Sequence, residues 1–343
     1  MAERADRLCT VVPRDASLPL SVLDLAHIAK GERAANAFAN SVALARRAEE
    51  RGYRRVWYAE HHDMSTIGSS ATSVLIAHVA AHTERIRLGA GGIMLPNHSP
   101  LVIAEQFGTL AELHPGRIDL GLGRAPGSDQ PTMRALRRDP SAADRFPQDV
   151  QELQGYLAGE SLIPGVNATP GYGTHVPLYI LGSSLFGAAL AAALGLPYAF
   201  ASHFSPEALH RAVERYRREF QPSEQLAEPH VIAGVNVLAA DDDATAADQL
   251  QRARRARVAI LLRGRSYTDE EADAVLASPQ GRFIENMMTY TVAGIAPTVA
   301  TYLREFAEHA DADELMVVHG APTIDERLRS VDLTAEAMEL APA

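Results

Sequence analysis

The feature that most constrains this chain is a repeated alternation of short apolar runs with longer amphipathic ones. Brief apolar runs rich in β-branched residues read as strands buried on both faces, and apolar residues recurring at a 3.6 period read as helices. Strands are expected over 20–25, 55–59, 86–95, 117–122, 178–181, 198–202, 232–239 and 314–318. Helices are expected over 36–51, 70–82, 101–113, 143–157, 185–194, 207–220, 297–309 and 325–339. Eight βα units in 343 residues suit a closed α/β barrel, the (β/α)8 TIM barrel, better than an open sheet. No linker rich in Pro, Gly or Ser divides the chain, so a single domain over 1–343 is expected.

Two stretches exceed the minimal barrel. The insertion after strand four, 124–174, holds a helix and a Pro/Gly-rich excursion, and the insertion after strand seven, 240–293, is expected to carry about two extra helices. Both leave from the carboxyl ends of strands, the face on which barrels build their sites. Helices that merely decorate the outside are the ordinary alternative, above all for 241–262.

Charge and composition exclude several classes of function. A formal net charge of −11 argues against a nucleic-acid partner and against acidic membrane surfaces. One cysteine, Cys9, leaves no disulfide framework and no Cys-rich metal cluster. The polar N-terminal segment lacks the apolar core of a secretory signal, and the apolar run from Ala188 to Leu196 is too short to span a bilayer. A cytoplasmic protein is the expectation.

Three constellations fall just past strand ends. The first is Glu60-His61-His62-Asp63, after strand two. Histidine suits acid–base work near neutral pH, although a solvated loop ending in a capping Asp fits equally well. His78 and His82 have ligand spacing on a helix, but Val79 stands where a metalloprotease needs Glu, and no metal is expected.

The second is GLGRAPG over 121–127. Its third glycine comes one place late for a dinucleotide fingerprint, and no helix obviously opens behind it. Close backbone approach to a ligand, with Arg124 facing an anion, is one reading; a surface arginine in a turn is the other. The third is Gly182-Ser183-Ser184, between strand five and its helix, where amides, hydroxyls and a helix N-terminus make a natural phosphate cradle. Plain N-capping, or a serine nucleophile lacking the usual G-x-S-x-G order, competes with it.

With these residues in place, the chain resembles the luciferase-like flavin-dependent monooxygenases. The resemblance is carried by LSVLD at 20–24, RVWYAEHH at 55–62, LGAGGIMLPNHSP at 88–100, AEQF at 104–107 and PGRIDLGLGRAPG at 115–127. It is dense over 20–130, thinner at 178–184 and near the C-terminus, and closest to the GLGRAPG-type subgroup. It implies a TIM barrel that binds FMN and uses the reduced form, FMNH2, with O2 to oxidise a small organic substrate.

Residue by residue, the resemblance implies a catalytic His61 near the reactive edge of the flavin, and a non-prolyl cis peptide at Gly91-Gly92 behind the ring. It implies phosphate binding by Arg124 and by Gly182, Ser183 and Ser184. Gly123 replaces a cysteine of bacterial luciferase and is expected to widen the pocket. Asn97 and His98 are expected along the polar edge of the flavin, and for Glu60 a role in orienting His61 or in capping is as good a reading as catalysis. Expected partners are a flavin reductase supplying FMNH2 and a second copy of the chain, through the early helices. A deazaflavin coenzyme for hydride transfer and a non-catalytic flavin-binding subunit are the alternatives. An unrelated TIM-barrel hydrolase is disfavoured for want of a metal cluster or nucleophile elbow. Phe186, Phe204, Met287 and Met288 are candidates for the pocket or for ordinary core.

Overall fold

A computed structural model describes residues 18–29, 31–125, 130–262 and 267–341. Cys9, and the Pro126 and Gly127 that end the GLGRAPG motif, lie outside these residues. The chain begins β1 (Leu20–Asp24), α1 (Ala34–Glu50), β2 (Arg55–Tyr58), α2 (Thr72–Ala80), β3 (Arg87–Met94), α3 (Pro100–Leu113) and β4 (Ile118–Gly123). After α4 (Gln130–Ala135) and a 3-10 turn, α5 (Phe146–Ala158) leads to β5 (Leu178–Gly182), α6 (Leu185–Leu194), β6 (Tyr198–Phe200) and α7 (Leu209–Glu219). The last third holds β7 (Val231–Ala239), α8 (Asp243–Leu262), α9 (Asp269–Leu276), α10 (Gly281–Met287) and β8 (Thr291–Gly294). It closes with α11 (Ala296–His309), β9 (Glu314–His319) and α12 (Ile324–Ala337).

All strand pairs are parallel, and β1 to β7 with β9 close into a ring because β6 also pairs with β7. This is the expected eight-stranded barrel. Its strands are buried along nearly their whole length, and for that reason they read as short continuous apolar runs. Two expectations change. A ninth strand, β8, pairs with the upper half of β7 through Asn236–Thr291 to Ala239–Gly294, and the second insertion holds three helices, not about two. Four residues ending in glycine give β8 too little pattern to read. The helix expected over 143–157 begins as a 3-10 turn (Pro140–Arg145) and becomes α-helical only at Phe146.

The period of two along each strand sorts side chains into outer core and lumen. The lowest layer of the lumen is ionic. Arg55 of β2 donates from Nη1 to Asp119 of β4 at 2.8 Å and to the Tyr179 hydroxyl of β5 at 2.7 Å, and its Nε lies 2.9 Å from Glu314 of β9. Ser21 of β1 donates to the same glutamate, and Arg87 of β3 pairs with Asp119. Burial opposes charge on Glu314 and Asp119, but Arg55 above all outweighs it and holds both carboxyls below their usual range. Burial likewise pushes the Tyr179 hydroxyl up to about 12, with Arg55 opposing.

Above this layer lie Leu23, Trp57, Tyr179, Ala199, Ile232 and Met316, with Leu181 and Val318 half-buried at the rim. The lumen is thus plugged below, and its side chains become less buried towards the carboxyl ends of the strands.

Candidate active site at the barrel mouth

The same period carries past the strand ends and places His61 and His203 on the lumen side of β2 and β6. Between them β3 and β4 supply glycines. The Gly91-Gly92 peptide is cis and lies in the β-bulge between Ala90 and Ile93. A Cβ on Gly91 would come within 2.8 Å of the Trp57 Cβ, and one on Gly92 within 2.7 Å of the Gly121 carbonyl, so both glycines are required by packing alone. Gly123 needs a correction: the space a side chain would fill there is occupied by the Met94 thioether, 2.8 Å from the ideal Cβ, so the missing cysteine leaves no extra room.

Glu60 organises one wall. It is buried at 1% exposure, yet its carboxylate accepts hydrogen bonds from Nε2 of His62 at 2.8 Å, Nε2 of His98 at 2.9 Å and Nδ2 of Asn97 at 3.2 Å. The Met94 amide donates to it at 3.0 Å. Burial disfavours the carboxylate, but the His98 bond and charge, then His62 and Asn97, outweigh it and hold the pKa below 4.5. The role expected for Glu60 is therefore corrected: its hydrogen-bond partners are His62 and His98, not His61. Asn97 and His98 likewise turn towards Glu60.

That leaves the half-buried His61 ring without a hydrogen bond among the described residues. Burial lowers its pKa below 6.5; the Glu60 charge opposes this and His62 adds to it. The ring is neutral at neutral pH and able to accept a proton.

Beside this wall, Arg124 leaves β4 exposed, one residue past the Met94–Gly123 pairing of β3 with β4, and its guanidinium carbon lies 4.2 Å from the centroid of the Phe186 ring in the first turn of α6. Ser184, the residue before that helix, is extended and makes no side-chain cap, so the first-turn amides of α6 stay available. Arg124, Ser183, Ser184 and the preceding Gly182 are thereby brought to one helix N-terminus. Phe186 and Phe204 are exposed, whereas Met288 is core.

His203 was not legible as a site residue. It follows β6 in a turn and is half-buried, with its Nδ1 enclosed against Gly234 of β7. Burial, then the charges of Arg257 and His61, push its pKa down to about 3. No group of three or more His, Cys, Asp and Glu among the described residues is placed to hold a metal, and no helix among them is long and apolar enough to cross a membrane.

Together these features define a TIM-barrel enzyme, with its reactive groups gathered from the carboxyl ends of different strands. The sequence profile of the luciferase-like monooxygenases matches residues 18–313, and the chain belongs to that family of flavin-dependent oxygenases, whose members use reduced flavin or F420. It is 46% identical over 330 residues to a luciferase-like monooxygenase of Escherichia coli (strain K12), covering 95% of this chain and 98% of that one. It is 32% identical over 337 residues to the N-acetyl-S-alkylcysteine monooxygenase of Bacillus subtilis (strain 168), covering 93% and 98%. The crystal structure of apo-MsnO8 superposes with a TM-score of 0.87 at 35% identity, covering 95% of this chain and 100% of that one.

Proposed function

We propose that this chain is an FMN-dependent monooxygenase that takes FMNH2 from a separate reductase and, with O2, oxidises a small organic substrate in the barrel mouth. One observation carries the choice of a phosphate-bearing flavin: the uncapped N-terminus of α6 lies beside the Arg124 guanidinium, which is held over Phe186. Helix amides and a cation together favour a phosphate.

In this reading Arg124 and the amides and hydroxyls of Gly182, Ser183 and Ser184 hold the phosphate. Gly91 and Gly92 give the ring a wall without side chains. Trp57, edge-on to Tyr179 with centroids 4.9 Å apart, closes the lumen below and keeps water from entering there. Bound reduced flavin supplies the electrons that activate O2. His61, neutral and unclamped, exchanges a proton with the reacting centre, while Glu60 fixes His62 and His98 around it. A relative that oxidises an N-acetyl-S-alkylcysteine supports a small substrate. A second copy of the chain is proposed to cover the early helices, where Val74 and Val102 are 68% and 43% exposed.

The test is anaerobic titration with FMNH2 and, separately, with reduced deazaflavin F420, read by absorbance. Saturable FMNH2 binding followed by O2 consumption on mixing with air supports the proposal. Binding of F420 alone would replace it with hydride transfer. Binding of neither would remove the flavin assignment.

A further inference from the structure

Helix α8 carries four arginines, and three of them meet carboxylates. Arg252 pairs with Asp248 and Glu326, Arg254 with Glu285, and Arg255 with Asp269 and Asp273. The fourth, Arg257, turns inward to the barrel mouth, where its Nη2 donates to the Asn236 side-chain oxygen at 2.9 Å. Among the described residues it has no carboxylate partner, although the sequence holds 43 Asp and Glu against 32 Lys and Arg.

Its surroundings are built. Asn236 is 1% exposed on the lumen side of β7, two places above Gly234, and its Nδ2 donates to the His203 carbonyl at 2.7 Å and to the Thr291 hydroxyl at 3.2 Å. The amide is thus locked with its oxygen towards Arg257. That single neutral bond leaves most of the guanidinium donors unused. Burial is the one influence on the Arg257 pKa, and it lowers it, as expected for a desolvated cation with no counter-charge. The neighbouring His203 is neutral and within electrostatic reach of both Arg257 and His61. A part-buried cation without a counter-ion is destabilising unless an anion completes the site.

We propose that Arg257, positioned by Asn236 and flanked by His203, is the subsite that binds the carboxylate of an acidic substrate and orients it towards His61. The substrates of this enzyme are therefore small organic acids, held at the β6–β7 side of the mouth by the insertion helix α8. This rests on the flavin reading only for the reaction; the anion subsite itself rests on geometry.

The subsite is tested by calorimetric titration of the protein, with and without FMN, by benzoate and by the uncharged benzamide. Benzoate is expected to saturate about tenfold or more tighter than benzamide, as for a hydrogen bond to a charged partner. Arg257→Gln is expected to abolish that preference, and Arg257→Lys to retain part of it while controlling for folding. Equal affinity for the two ligands, no benzoate saturation, or a preference intact in Arg257→Gln would overturn the proposal. So would an Arg257→Gln protein weakened for FMN but not riboflavin, because Arg257 would then be a flavin-phosphate ligand. If wild-type protein binds no FMN yet prefers benzoate, the flavin reading fails and the subsite stands.

Discussion

Arg124, at the end of β4, and Phe186, in the first turn of α6, are joined face to cation, the guanidinium carbon 4.2 Å from the ring centroid. The pair ties the GLGRAPG motif to the Gly182-Ser183-Ser184 motif and brings two separate sequence signals to one corner of the barrel mouth, the proposed phosphate site. The contact also fixes a long, exposed side chain that would otherwise sample many rotamers.

Glu60 is the anchor of the adjoining wall, and its substitution should be read in stability as well as rate. Glu60→Gln removes the charge that four donors share and forces an NH2 group against one of them. A loss of about 1–3 kcal/mol is expected, measured by urea unfolding. Histidine NMR of the folded variant should show the His62 and His98 rings released from their Nε2 bonds.

The pH dependence should report His61. Its folded pKa is below 6.5, so the neutral, proton-accepting form dominates at pH 7 and is lost as pH falls through that lower value. A rate measured with bound flavin is expected to level off towards pH 8 and to fall on an acid limb whose midpoint lies below 6.5. His61→Gln should remove the limb and lower the plateau by about 100-fold or more.

Arg55 holds two buried carboxylates at once. Arg55→Met is expected to cost about 3–5 kcal/mol, because Asp119 and Glu314 then remain buried without their main partner, measured by denaturant midpoint. The wild-type network should also be acid-sensitive. Glu314 and Asp119 have depressed folded pKa values, so their contribution is present above the ordinary values of 4.5 and 3.8 and is lost as pH falls below them. Unfolding at falling pH should be shallower in Arg55→Met.

Gly234 faces the His203 ring. A Cβ there would lie 2.3 Å from Nδ1, so Gly234→Ala must displace the imidazole. A cost of about 1–3 kcal/mol is expected from overpacking, seen as a lowered Tm. The displaced ring should also gain water and show a pKa raised from about 3.

How much of this was legible depended on range. The barrel strands were, because parallel strands buried on both faces leave continuous apolar runs, and β8 was not, because four residues beside a glycine leave no pattern. His61, Arg124 and Ser183 stood out because each lies within three residues of a strand end. Glu60 and His98 are 38 residues apart, and neither residue advertises the bond that joins them. Arg257 sits in a run of arginines that reads as a solvated helical face, and only the packing of α8 on the mouth separates it from its paired neighbours. His203 is an isolated histidine in a turn, given meaning by β7 alone.

The central claim, that the Arg124 corner receives the phosphate of a flavin, is tested most directly by the ratio of riboflavin to FMN dissociation constants. Fluorescence titration should give a ratio of about ten or more for the wild type, since the phosphate adds charge-assisted bonds that riboflavin cannot make. In Arg124→Ala the ratio should collapse towards one with riboflavin affinity little changed. A ratio that survives in Arg124→Ala would contradict the account.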